Sequence, residues 1–164
     1  MRVSEITITK FQLKQLFEEF NSKIHNEGIT PKYSWFIYKN CEMMINDYSH
    51  LLNSLYDERK EPDYGVILAV QQDLALKYGE KNEDGSLTVG QDGRPIFIGD
   101  NMKKYEEEFM QLREKYKEFF NRLDHKAETN QAIYNETVTF MATQLELSEF
   151  PNNTKPFIVG ILGY

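Results

Sequence analysis

The chain reads as an α+β protein, mainly helical: a long antiparallel helical hairpin with a β-hairpin at its tip and paired N- and C-terminal strands. Three observations predict this. Ile37, Cys41, Met44, Tyr48, Leu51 and Leu55 recur at spacings of 4, 3, 4, 3 and 4, the heptad rhythm of a long helix. Met102, Tyr105, Phe109, Leu112, Tyr116, Phe119 and Leu123 repeat that rhythm further on. Between the two stripes lies a glycine-rich stretch, residues 79–100. Two stripes joined through a turn region are expected to pack as an antiparallel pair.

Each element has its own signal. Residues 3–9 are β-branched and alternate, which predicts a strand. Val3 falls out of phase with Ile6 and Ile8, so a bulge or shift near Glu5 is expected. Thr9 is placed to cap a helix whose apolar stripe is Leu13, Leu16, Phe17, Phe20 and Ile24, with Gly28 ending the segment. Thr30 followed by Pro31 is a helix start, with threonine as N-cap and proline at the first helical position. Pro62 marks a break, after which Asp63 is expected to cap a helix carrying Ile67, Val70, Leu74 and Tyr78.

Leu87, Thr88 and Val89 and then Ile96, Phe97 and Ile98 flank a Gly-Gln-Asp-Gly turn at residues 90–93, the pattern of a β-hairpin. Asp100 is expected to cap the helix of the second stripe. Residues 133–150 fit a helix through Ile133, Val138, Met141 and Leu145, and a strand through Val138 with Phe140 and Leu145 with Leu147. The threonines at 137, 139 and 143 favour the strand, which would pair with the N-terminal one. After Pro151, Thr154 and Pro156 start a short helix through Phe157, Ile158 and Ile161, with a final strand as the alternative. No internal repeat or low-complexity run interrupts the 164 residues, and a single domain, 1–164, is expected.

Composition excludes several function classes. Nineteen basic against 26 acidic residues leave a net charge of −7, which argues against direct nucleic-acid binding. No run of 18 apolar residues suits a membrane span, and the N-terminus lacks the apolar core of a signal peptide. One cysteine, Cys41, permits no intramolecular disulfide and suits a reducing compartment. Its place on an apolar stripe makes it a small hydrophobe rather than a catalytic thiol.

The motifs of chemistry are sparse. Glu80, Asn82, Asp84 and Gly85 fall at positions 1, 3, 5 and 6 of a calcium loop, but position 12 is the neutral Gln91, which removes the bidentate carboxylate. A polar turn is the better reading. His25, His50 and His125 share no i, i+4 spacing. The acids at 106–108 and at Asp57, Glu58, Glu61 and Asp63 fall on expected solvent faces and read as solvated; an acidic surface that mimics DNA is the alternative, disfavoured because Lys103, Lys104, Arg113 and Lys115 interleave with them. No nucleophile elbow, phosphate loop or dinucleotide fingerprint is present. No catalytic, metal or cofactor residues are therefore assigned.

Aromatic residues are abundant: 11 Phe, 10 Tyr and 1 Trp. Tyr33, Trp35, Phe36 and Tyr38 lie within six residues of one helix and wrap more than one of its faces. One core accepts one stripe, so one or two of these rings are expected outside it, where exposed aromatics anchor interfaces. The C-terminal tail, with Phe157 and Tyr164, is apolar to its last residue and docks either on its own domain or on a partner. These six residues are the interface candidates.

The ordered features together resemble those of a family of small bacteriophage and prophage proteins of unassigned function. The features are a short Ile-Thr-Ile-Thr-Lys strand running into a helix, Leu-Lys-Tyr-Gly-Glu-Lys-Asn-Glu-Asp-Gly at 76–85, a second glycine turn, a Glu-rich heptad helix, and Ile-Tyr-Asn-Glu-Thr-Val-Thr-Phe at 133–140. The resemblance implies a phage protein of the host bacterial cytoplasm or the virion, and it supplies no catalytic residues. The functional expectation is a non-enzymatic protein that acts through protein–protein contacts, as a virion component or assembly factor, with self-association into a homo-oligomer as one form of contact. A phage-encoded inhibitor of a host restriction or CRISPR system is the alternative, and an enzyme with an unrecognised site a further one.

Overall fold

The structure, a computed structural model, describes residues 1–24 and 29–164. The expected stop at Gly28 and the histidine His25 lie outside the described residues. Among the described residues, seven α-helices and two strands follow in the order β1 (Arg2–Thr9), α1 (Lys10–Lys23), α2 (Pro31–Ser54), α3 (Tyr64–Tyr78), α4 (Asn101–Lys115), α5 (Lys117–Asp124), α6 (Lys126–Asn135), β2 (Thr137–Gln144) and α7 (Pro156–Leu162). The protein is mainly helical, with one two-stranded antiparallel sheet. By its contacts the chain divides into two compact units, residues 1–55 with 127–164 and residues 56–126.

The first unit is built on β1 and β2. Their register runs without interruption from Arg2 opposite Gln144 to Thr9 opposite Thr137. No bulge occurs near Glu5, because Val3 sits on the outer face with Glu5 and Thr7 while Ser4, Ile6 and Ile8 turn inward. Two strands alone are marginal. Here the inward residues Ile8, Phe140 and Ala142 bury against Leu13, Leu16, Phe17 and Phe20 of α1 and Phe36, Ile37 and Met44 of α2. Thr9 closes a capping box with Gln12 at the start of α1, and Thr30 accepts from the Tyr33 amide at the start of α2. Both caps follow the sequence.

A polar contact sets how α2 meets the sheet. Asn40, fully buried, donates from Nδ2 to the Thr143 carbonyl at 3.1 Å and accepts at Oδ1 from the Thr143 amide at 3.1 Å. Nδ2 also donates to the Phe36 carbonyl at 3.0 Å. One side-chain amide thus takes both backbone groups that a third strand would take at this edge. Beyond β2 the tail returns: α7 is followed by a parallel bridge of Gly163 to Leu145, with the Tyr164 amide donating to the Leu145 carbonyl at 3.0 Å. The tail therefore combines the helix and the strand-like ending that the sequence left open. The residue preceding α7 is Lys155, not Thr154.

In the second unit α3 packs against α4. Ile67, Leu112, Phe119 and Phe120 form its small core, joined by Tyr64, Val70 and Phe109. Within the two units, α1 packs against α2 and α3 against α4. The second stripe is also not one helix: at Tyr116 the backbone leaves helical geometry (φ −113°, ψ 39°), which separates α4 from α5. Neither Asp63 nor Asp100 makes a side-chain cap, because each already holds helical backbone angles that turn its carboxylate away from the N-cap geometry.

Between α3 and α4 the glycine-rich segment forms isolated antiparallel bridges, Gly79 to Phe97, Lys81 to Leu87 and Val89 to Pro95, rather than one continuous hairpin ladder. Two tight turns separate these bridges, and Gly85 (φ 83°) and Gly93 (φ 74°) supply the left-handed backbone each turn needs.

Candidate interaction surface

The six interface candidates separate by geometry. Tyr33 and Phe36 are buried, stacked at 5.5 Å between ring centroids, and Phe36 meets Phe20 and Phe150 edge-on. They are core residues, which removes them from the interface: α1 and the segment around Phe150 cover this face of α2. Phe157 is half-buried against the same core. Tyr164 is held to its own unit, with the Arg2 guanidinium 4.3 Å above its ring. The tail thus docks on its own unit.

Trp35 and Tyr38 lie on the opposite face of α2 and are 47% and 53% exposed. Two residues that the sequence reading did not single out continue their line. Ile45 is 50% and Leu52 42% exposed. Residues 35, 38, 42, 45, 49 and 52 follow the spacing 3, 4, 3, 4, 3, and all six are exposed. α2 therefore carries two heptad stripes. One is consumed by the core; the other presents four large apolar side chains to solvent. The signal was present in the sequence as a second 3.5-residue period, hidden behind the stronger one.

The charges beside this stripe are few and internally satisfied. Lys39 donates to Glu42 at 2.8 Å and lies about 6 Å from the rings of Trp35 and Tyr38. The hydrogen bond to Glu42 raises the Lys39 pKa above its ordinary value. Cys41, half-buried beside the stripe, has its thiol pushed up to about 11 by burial. Burial thus favours the protonated thiol at neutral pH, the less nucleophilic form.

A concave surface lies within the other unit. A groove of about 930 Å³ runs between α3, α4 and the glycine turns, with Leu76, Val89, Ile96 and Met102 on its wall and Tyr105 and Phe109 at its floor. Burial raises the Tyr105 pKa. The groove is open and apolar, and no pair of acids or nucleophile with base converges in it.

The polar turn at 80–91 satisfies itself. Asp84 accepts from the Ser86 amide and hydroxyl, and Asn82 accepts from the Thr88 hydroxyl. Among the described residues no group of three or more His, Cys, Asp or Glu side chains is arranged to hold a metal, and no helix is long and apolar enough to cross a membrane. Compared with protein-family models, curated proteins and solved structures, the chain matches none of them.

Proposed function

We propose that the chain acts without catalysis, by binding another protein chain along the exposed stripe of α2. The observation that carries this is the alignment of Trp35, Tyr38, Ile45 and Leu52 on the solvent face of a helix whose other face is already core. A surface helix normally spends its polar residues there. A line of four large apolar side chains that includes a tryptophan and a tyrosine, interrupted by Glu42 and Ser49, has the composition of an interface anchor.

The setting we propose, on the resemblance to small phage proteins alone, is a virion component or assembly factor in the virion or the bacterial host cytoplasm. A phage-encoded inhibitor of a host defence system is the second reading, favoured by the net charge of −7, which suits a basic, nucleic-acid-binding target. A tagged pull-down from infected host lysate separates the two. Phage structural proteins in the eluate support assembly, and a single restriction or CRISPR component supports inhibition. In either case Trp35→Ala is expected to leave the melting temperature within a few degrees of the parent and to weaken capture tenfold or more, about 1.4 kcal/mol. Loss of folding in that variant would show that Trp35 belongs to the core, and the binding reading would fall.

A further inference from the structure

We infer that the outer edge of β1 is a docking site for an extended segment of a partner protein, added to the sheet as a further strand with a basic residue at its centre. This surface is separate from the α2 stripe and does not rest on it.

The register identifies which backbone groups lie free. Antiparallel neighbours alternate between pairs that exchange both backbone hydrogen bonds and pairs that turn theirs outward. The Lys10 amide donates to the Glu136 carbonyl at 2.8 Å, and these two residues continue the register of Thr9 opposite Thr137. Counting back by twos, Ile8, Ile6, Ser4 and Arg2 face β2, while Val3, Glu5 and Thr7 turn their amides and carbonyls away from it. The other strand agrees with this count. Thr143, opposite Val3, turns both its groups outward to Asn40, and Leu145 turns both of its groups to the tail.

The two edges of the sheet are therefore unlike. The β2 edge is closed by the Asn40 amide and by the C-terminal tail. On the β1 edge the amides and carbonyls of Val3, Glu5 and Thr7 have no hydrogen-bond partner among the described residues, and all three residues are exposed. Thr9, next in line, has its amide donating to Gln12 Oε1 at 2.9 Å. No proline, bulge or lysine interrupts the edge from Val3 to Thr7, so its one guard against an added strand is the charge of Glu5. Alternating amides and carbonyls in an extended line are met only by another extended backbone.

Glu5 decides the occupant. Its carboxylate makes no ion pair among the described residues. A second copy of this chain fits poorly. Laid antiparallel so that all three outward residues pair, it sets Glu5 opposite Glu5, and like charges directly opposite are destabilising. A shift of two residues brings in either Met1, outside the strand, or Thr9, whose amide is taken. A segment with lysine or arginine opposite Glu5 pairs all three residues and neutralises the carboxylate. Val3, 56% exposed on the same face, favours an apolar residue two places from that base.

The test follows the amides of the isotope-labelled full chain by NMR. The probe is a synthetic peptide, Thr-Val-Thr-Lys-Thr-Val-Thr with blocked ends, titrated to about 2 mM. The amides of Val3, Glu5 and Thr7 are expected to shift and to gain protection from solvent exchange. N-methylation of the peptide's lysine and valines, whose amides face β1, is expected to abolish binding. N-methylation of the two inner threonines, whose amides face solvent, is expected to leave it. Glu5→Lys, at an exposed site, is expected to keep the parent melting temperature, weaken this peptide at least tenfold and favour the version with glutamate in place of lysine. That pattern supports the inference. No binding at the highest concentration, shifts confined to other surfaces, methylated peptides that behave alike, or indifference to Glu5→Lys overturns it. The α2 stripe is read separately, through the effect of Trp35→Ala on capture, so either surface can fail without the other.

Discussion

Asn40 shows how much one buried polar side chain can decide. It ties α2 to the edge of β2 by hydrogen bonds, and its amide makes three of them to backbone groups. Removing it strands the amide and carbonyl of Thr143 in the core. Asn40→Ala is expected to destabilise the protein by about 2–4 kcal/mol, read by urea unfolding. A loss below about 1 kcal/mol would mean that water replaces the amide. Thr143 supplies the opposite case. Its hydroxyl is buried and has no hydrogen-bond partner among the described residues. Thr143→Val keeps the shape and removes the unsatisfied group, so it is expected to be neutral or to stabilise by about 1 kcal/mol in the same assay. Trp35 and Phe36 are neighbours in sequence with opposite fates, one in solvent and one in the core. The 100° turn between successive helical residues is enough to separate them.

At the scale of elements, helix α7 is held to α1 by charge as well as by Ile158 and Leu162. Glu19 receives Lys155 from the segment before α7 and Lys23 at 3.0 Å from its own helix. Burial alone would raise the Glu19 pKa; the hydrogen bonds from Lys155 and Lys23 overcome it and hold the group below its ordinary value of 4.5. A carboxylate with a depressed folded pKa stabilises fully above its unfolded value and loses that contribution as pH falls through the folded one. The parent is therefore expected to melt above Glu19→Gln at pH 7, with the gap closing below about pH 4.5. A pH-independent gap would show that the ion pairs do not hold the tail. β1 and β2 depend on a different principle. They are far apart in sequence, and they pair because each has one apolar face that only the same helical layer can cover.

At the scale of the whole molecule, the two units have separate cores, one around Phe20, Phe36 and Met44 and the other around Ile67, Leu112, Phe119 and Phe120. The boundary falls where the apolar stripe of α2 ends and the charged residues 57–63 with Pro62 begin. A small core tolerates an unpaired charge poorly. Leu112→Asp is expected to remove amide-exchange protection from α3, α4 and α5 while protection of the β1–β2 ladder persists. Simultaneous loss in both units would show a single cooperative fold, and unchanged protection would show that Leu112 is not core.

Much of this was legible in the residues themselves. Strand alternation, the Thr9 and Thr30 caps, the glycine turns and the first heptad stripe are local signals, because backbone sterics and side-chain periodicity act over a few residues. The strand at 137–144 was readable from its threonines, and the need for a partner pointed to β1. What the tertiary structure alone decided is which stripe meets which. Ridges of apolar side chains carry no address, so the pairing of α1 with α2 and of α3 with α4, and the break at Tyr116, depend on which faces close a core together. The candidate surface follows the same division. The sequence showed more aromatic residues on α2 than one core can take, but only the packed structure separates Tyr33 and Phe36 inside from Trp35 and Tyr38 outside, because burial is a property of what covers a residue and not of the residue itself.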